Sequence, residues 1–315
     1  MRDQRYLIPG SLVEVTTTCI QNRFLLRPSE RLNEVFVGVL GRAQEAFDLD
    51  LVGVSALSSH YHLLAVPESQ EQLSEFMGYV NGNLSKEVDR IYDWKGSMWM
   101  DRFHQIQVAD DEATQVSRLR YLLAQGVKED LVERPEQWPG VHCAQALREG
   151  RPMIGAWVNR TAHYAHRAVL QEDVTEDDFT EEVCLWFSPL PCWAGYSPAR
   201  YQEEVGVLIE DIVDEAARKR QSKGRTVLGV DAILKQNPHH RPEDVQRSPK
   251  PRFHTLCVES YKILYKAFSL VFAEYREASE LLRAGFRDAE FPEGTFPCAL
   301  PFVPMPGPPQ PRGDP

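Results

Sequence analysis

The sequence has no run of about 18 consecutive apolar residues, the length a helix needs to cross a bilayer. A helical membrane protein is therefore excluded. It has no CxxC pair. Its six cysteines, Cys19, Cys143, Cys184, Cys192, Cys257 and Cys298, fit neither zinc-finger spacing nor a small disulfide framework. Free thiols in a reducing compartment are the expectation. The first residues, MRDQRYLIPG, lack the apolar stretch of a secretory signal, so a cytoplasmic location is expected. There is no internal repeat. There is also no excess of positive charge: the net charge is −11 and the pI about 5.4. A general nucleic-acid coat protein would be basic, which removes that class but leaves room for a local basic groove. What is present is ordinary globular material. The chain has 315 residues, 43% hydrophobic and 26% charged, enough for one large or two small domains with a real core.

The first part alternates between strand and helix patterns. Residues 11–19 (SLVEVTTTC) are β-branched and alternate, a strand signal. Leu32, Val35, Phe36, Val39, Leu40, Ala43 and Phe47 recur at helical spacing after Pro28 and Ser29. Two short apolar runs, 51–57 and 60–66, flank Ser58-Ser59 and read as a hairpin. A second helix follows over Leu73 to Ile91, then a strand over 103–108. Asp110, Asp111 and Glu112 open a third helix, placing acids at the positive end of its dipole, and it ends near Gly126. This order predicts an α+β, ferredoxin-like antiparallel sheet with helices, a fold that does not by itself decide function.

The second part differs. Residues 171–182 are acidic and read as a loop, whereas 201–220 and 257–283 have helical periodicity. Between those helices, residues 218–252 hold ten Lys/Arg against three acids. Nine prolines fall from Pro292 onward, so the tail is expected to be extended or disordered. The expected organisation is a first domain over 1–142, a mostly helical extension over 143–290 and a Pro-rich tail over 291–315.

Two small constellations carry chemistry. His60-Tyr61-His62 lies on a strand, where residues i and i+2 share a face. Both imidazoles then project together, as a metal pair requires. Two histidines alone are an incomplete site, and a pair beside a core edge is the commoner meaning of that pattern. Tyr121 and Gln125, spaced i and i+4, share a helix face roughly opposite the stripe of Val116, Leu119, Leu123 and Val127. A surface tyrosine is the plain alternative. Taken together, a strand His pair and a downstream tyrosine with an amide could hold a divalent ion against a phosphodiester and attack it with a hydroxyl.

At this point the sequence resembles the REP-associated tyrosine transposases, a branch of the single-tyrosine HUH transposases. The resemblance is carried by Ser58-Ser59-His60-Tyr61-His62-Leu63-Leu64, by Trp99-x-x-Arg102, by Asp110-Asp111-Glu112 leading into Leu119-Arg120-Tyr121-Leu122-Leu123, and by Trp138-Pro139-Gly140. It covers roughly residues 5 to 142. It implies an HUH nuclease and strand transferase acting on single-stranded or hairpin DNA. Tyr121 would be the nucleophile, forming a 5′-phosphotyrosine, and His60, His62 and Gln125 would be ligands of Mg²⁺ or Mn²⁺. A monomer or a homodimer, bacterial and DNA-associated, is the matching expectation. The alternative is a catalytically silent, domesticated DNA-binding protein of the same ancestry.

The chain departs from that family in places. Ser59 stands where relatives have Asn, and the first strand reads Val13-Glu14-Val15-Thr16-Thr17-Thr18 where relatives have Y-H-V-T-x-R. Residues 1–150 hold 15 Lys/Arg against 22 Asp/Glu, a poor surface for phosphate binding. Candidate DNA contacts are therefore Arg102, Arg118 and Arg120 from the first part, with Lys219, Arg220, Lys223 and Arg225 from the basic stretch.

Overall fold

A computed structural model describes residues 5–170, 174–242 and 251–299. The chain divides into one unit over Leu7–Leu264 and a smaller one formed by the terminal segments Met1–Tyr6 and Tyr265–Pro315. The larger unit holds the sheet and every candidate site residue.

Strand β1 (Val13–Thr18) is followed by helix α1 (Glu30–Phe47), strands β2 (Asp50–Leu57) and β3 (His60–Val66), helix α2 (Gln70–Tyr92), strand β4 (His104–Val108) and helix α3 (Glu112–Leu123). The sheet order is β2-β3-β1-β4, with β1–β3, β2–β3 and β1–β4 antiparallel. That is the ferredoxin-like arrangement expected from the sequence. Two serine N-caps start the crossover helices: Ser29 accepts from the Leu32 amide and Ser69 from the Gln72 amide.

The pleat sorts the sheet into two faces. Tyr61 points to the side covered by α1 and α2; its ring meets Phe36 edge to face at 5.4 Å and its hydroxyl donates to Asn81 Oδ1. His60 and His62 point to the other side, beneath α3. Helix α3 comes very close there. A Cβ on Gly53 would lie 2.7 Å from Leu122 Cδ2, so any larger residue would press on the seat of the helix.

The remainder is mainly helical, with three short strands among the described residues. Helix α4 (Ala144–Glu149), strand β5 (Met153–Val158), helix α5 (Arg160–Leu170), strand β6 (Thr180–Leu185), helix α6 (Pro198–Lys223), helix α7 (Val230–Leu234), strand β7 (Phe253–His254) and helix α8 (Val258–Arg283) follow. The reading of 171–182 as a loop is corrected in part. Residues 180–182 open β6, which pairs antiparallel with β5; residues 171–173 lie outside the described residues. Two consecutive exposed acids, Glu181 and Glu182, hid the alternation of β6. The β5–β6 pair packs on α1 through mutual glycines: a Cβ on Gly38 would meet the Ala156 carbonyl oxygen at 2.2 Å, and one on Gly155 the Gly38 nitrogen at 2.3 Å. The short β7 adds a parallel fifth strand beside β4, which the sequence did not announce. Trp193 is buried, and its Nε1 donates to Glu112 Oε1, whereas Trp186 is exposed. The Pro-rich tail beyond 299 and residues 243–250 of the basic stretch lie outside the described residues. All six cysteines are free.

Candidate active site

Strand β3 places His60 and His62 on one face, with ring centroids 5.1 Å apart. Each ring has its Nδ1 engaged. His60 Nδ1 lies 3.0 Å from Ser59 Oγ, and His62 Nδ1 lies 3.0 Å from Glu14 Oε1 and 3.1 Å from Thr16 Oγ1. This leaves Nε2 of each ring as the nitrogen for a ligand. Outer partners of this kind fix the tautomer and orientation of metal-binding histidines. Burial, reinforced by the positive charges of His62 and Lys128, pushes the His60 pKa down to about 3. His60 is therefore neutral at ordinary pH, the form a metal needs.

Glu14 comes from the neighbouring strand and is 2% exposed. Burial alone would raise its carboxyl, but the hydrogen bonds and charges of His62 and Arg118 outweigh that and hold it below the usual carboxylate range. Arg118, on α3, pairs with the second oxygen of the same carboxylate.

Helix α3 starts where the acids predicted it: Asp111 is the N-cap and accepts from the Thr114 amide at 2.9 Å. Its apolar stripe packs downward, with Leu119, Leu122 and Leu123 buried. Tyr121 is 37% exposed. Its ring meets the His62 ring edge to face at 5.8 Å. Arg118 Cζ lies 4.3 Å and Lys128 Nζ 3.6 Å from the ring centroid. Gln125 sits just past the end of the helix. It is fully buried, its Nε2 donates to the Tyr121 carbonyl at 3.2 Å, and its Oε1 has no hydrogen-bond partner.

That orphaned oxygen bears on the expected metal. A buried, unpaired amide oxygen is disfavoured unless something outside the protein satisfies it. Two imidazole nitrogens and one amide oxygen suit a divalent ion with open positions. Among the described residues no group of three or more His, Cys, Asp or Glu is placed to hold a metal, so a metal here depends on the His pair with the Gln125 amide.

Tyr121 also opens onto a cleft of about 330 Å³ between α3 and α6. Six cations line it (Arg120, Lys128, Lys219, Arg220, Lys223 and Arg225) against two acids, Asp130 and Glu215. Arg120 pairs with Glu215 at 2.6 Å, and Arg225 with Asp130 at 3.6 Å. The cleft stays positive after those pairs. The structure thus gathers Arg120, Lys219, Arg220, Lys223 and Arg225 around the tyrosine. It separates out two other expected DNA contacts. Arg118 is turned inward, with 12% of its side chain exposed. Arg102 is exposed before β4 and does not line the cleft. Sequence reasoning missed Glu14, Lys128 and the buried His142. Glu14 carried a signal, as a lone charge in a β-branched strand.

Residues 15–123 match the family model of IS200-like transposases. This stretch runs from β1 through the end of α3 and so includes His60, His62 and Tyr121. A transposase-type role in DNA processing goes with that family. Among solved structures, a REP-associated tyrosine transposase bound to a REP hairpin is similar at 16% identity, covering 47% of this chain and 84% of that one, with a TM-score of 0.38. A candidate transposase from Deinococcus radiodurans R1 is similar at 16% identity, covering 39% and 95%, with a TM-score of 0.28. None of the curated proteins matches the chain. No helix among the described residues is long and apolar enough to cross a membrane.

Proposed function

We propose that the protein is a metal-dependent endonuclease and strand transferase of single-stranded or hairpin DNA, acting through a 5′-phosphotyrosine at Tyr121. The observation that carries this reading is the position of Tyr121, against His62 on one side and at the mouth of a cation-lined cleft on the other. Backbone phosphates of a strand fit that cleft by charge. Lys128, beside the phenol ring, adds positive charge where a scissile phosphate would arrive.

Tyr121 Oη attacks the phosphorus. The bond from phosphorus to the 3′ oxygen breaks, the phenol gives up its proton and the departing oxygen gains one. The products are a 5′-phosphotyrosine and a free 3′-OH. Rejoining reverses the step: a 3′-OH attacks the phosphotyrosine and Tyr121 leaves with a proton. His60, His62 and Gln125 would hold Mg²⁺ or Mn²⁺, which when bound polarises the phosphate and stabilises charge on its oxygens.

The test is cleavage of a labelled single-stranded hairpin from the flanks of the protein's own gene, with Mn²⁺ or Mg²⁺. The expected products are a fragment with an extendable 3′-OH and a label that moves with the protein, both lost in Tyr121→Phe. Specific binding with neither product, in either metal, would leave the DNA-binding reading in its place.

A further inference from the structure

We infer that Glu14 and Arg118 are positioning residues that lock the His62 ring and the Tyr121 ring to one another, and that Arg118 is not a DNA contact. The inference rests on the metal-site reading of His60, His62 and Gln125.

Strand register places Glu14 on the face beneath α3. Thr16 pairs with His62 and Glu14 pairs with Leu64, so Glu14 stands one step along that face from His62. A carboxylate buried to this degree is strongly disfavoured unless both oxygens are satisfied. Here each has its own partner. Oε1 faces His62 Nδ1 at 3.0 Å, and Oε2 takes Arg118. A carboxylate only accepts, so Nδ1 carries the proton, and the neutral ring then presents its Nε2 lone pair. Glu14 therefore selects the tautomer and fixes the ring plane.

Arg118 continues the chain. It lies one helical turn before Tyr121 on α3, on the same side. Its guanidinium touches the Glu14 carboxylate at one end and the Tyr121 ring at 4.3 Å. The Tyr121 ring returns to His62 at 5.8 Å. Four side chains from β1, β3 and α3 thus form a closed circuit. For Arg118 to reach a phosphate it would have to leave a buried pair, which is strongly destabilising. The cleft cations have no such tie to the sheet.

Mn²⁺ titration of the full chain tests this, followed by calorimetry, with thermal unfolding as the check on folding. Glu14→Gln keeps the size and removes the charge; it is expected to weaken Mn²⁺ binding about 10- to 100-fold. His62→Ala is expected to lose binding. If Glu14→Gln does not fold, the double variant Glu14→Gln with Arg118→Met removes both charges together and is expected to show the same weakening. Arg118→Met alone is expected to bind a DNA hairpin within about twofold of wild type with an unchanged salt slope, since no phosphate contact is lost. Nitrogen-15 spectra of the metal-free wild type are expected to show His62 protonated at Nδ1. Unweakened Mn²⁺ binding in Glu14→Gln beside lost binding in His62→Ala overturns the inference and leaves the metal site standing. So does a His62 proton on Nε2, or a salt slope that falls by about one in Arg118→Met. A wild type that binds no Mn²⁺ removes the metal reading, and this inference with it.

Discussion

The His62 imidazole and the Tyr121 phenol meet edge to face, with ring centroids 5.8 Å apart and planes at 82°. One belongs to a central strand and the other to a helix laid across it. The contact therefore depends on how deeply α3 sits on the sheet. That depth is set by packing of Leu119, Leu122 and Leu123, and by the missing side chain at Gly53. The proposed nucleophile is placed by the core and not by a flexible loop.

This makes Gly53 a sensitive position far from any chemistry of its own. Gly53→Ala would put a methyl 2.7 Å from Leu122 Cδ2 and 3.1 Å from Cys143 Sγ. We expect destabilisation of about 1–3 kcal/mol. The rate of tyrosine–DNA adduct formation should fall by up to about 100-fold, because a shift of about 1 Å in a reacting group is enough for that. Adduct formation at the wild-type rate in a folded Gly53→Ala protein would show that α3 depth does not govern the site.

Gln125 gives a prediction in which two readouts separate. Its Oε1 is buried and unpaired, and its Nε2 holds the Tyr121 carbonyl. Gln125→Leu removes an unsatisfied oxygen and one hydrogen bond together, effects of similar size and opposite sign, about 1 kcal/mol each. Stability should change little, whereas Mn²⁺ affinity should fall at least about tenfold. A large loss of stability with Mn²⁺ binding intact would make Gln125 a structural residue only.

The cleft cations should act on binding more than on chemistry. Replacing Lys219, Lys223 and Arg225 with Gln removes three of the six charges that line it. The slope of log affinity against log salt for single-stranded DNA should become shallower by about 2, from about 0.7 per lost phosphate contact. Hairpin binding measured from low to high salt gives that slope directly. An unchanged slope would move the DNA path elsewhere.

Much of this site was readable before the structure. The alternation of 13–18, the His60–His62 spacing and the acids before α3 each fix a local geometry, and local geometry survives folding. Glu14 was not readable in the same way. It faces His62 only because β1 and β3 pair in one particular register, and nothing within either strand states that register. Tyr121 and Gln125 were expected on one helix face. The helix ends at Leu123, and the turn beyond it buries Gln125 while leaving Tyr121 partly exposed. The β5–β6 pair escaped notice because Glu181 and Glu182 are both exposed and made β6 look like loop. The basic stretch was visible as charge, but its seat beside Tyr121 depends on how α6 crosses α3.

Acid should destabilise the protein through buried histidines. Burial lowers the His142 pKa to about 4, and His60 to about 3. As pH falls below about 6.5 the unfolded chain takes up protons that the folded chain refuses, so stability drops until the folded pKa is passed. For His142 the full loss is about 3 kcal/mol. His142→Asn keeps an acceptor for the Ala144 amide, which His142 Nδ1 now accepts at 3.1 Å, and cannot protonate. Its stability should fall less steeply between pH 6.5 and 4 in denaturant titrations. A slope equal to that of the wild type would place the acid sensitivity in other groups.

The central claim is that Tyr121 becomes covalently joined to DNA. The most direct measurement is mass spectrometry of the protein after incubation with a single-stranded hairpin and Mn²⁺, followed by nuclease and protease digestion. The account predicts a peptide spanning Tyr121 that carries a nucleotide through a phosphotyrosine bond, absent in Tyr121→Phe. DNA cleaved with no modified peptide, or a nucleotide on any other residue, would contradict it.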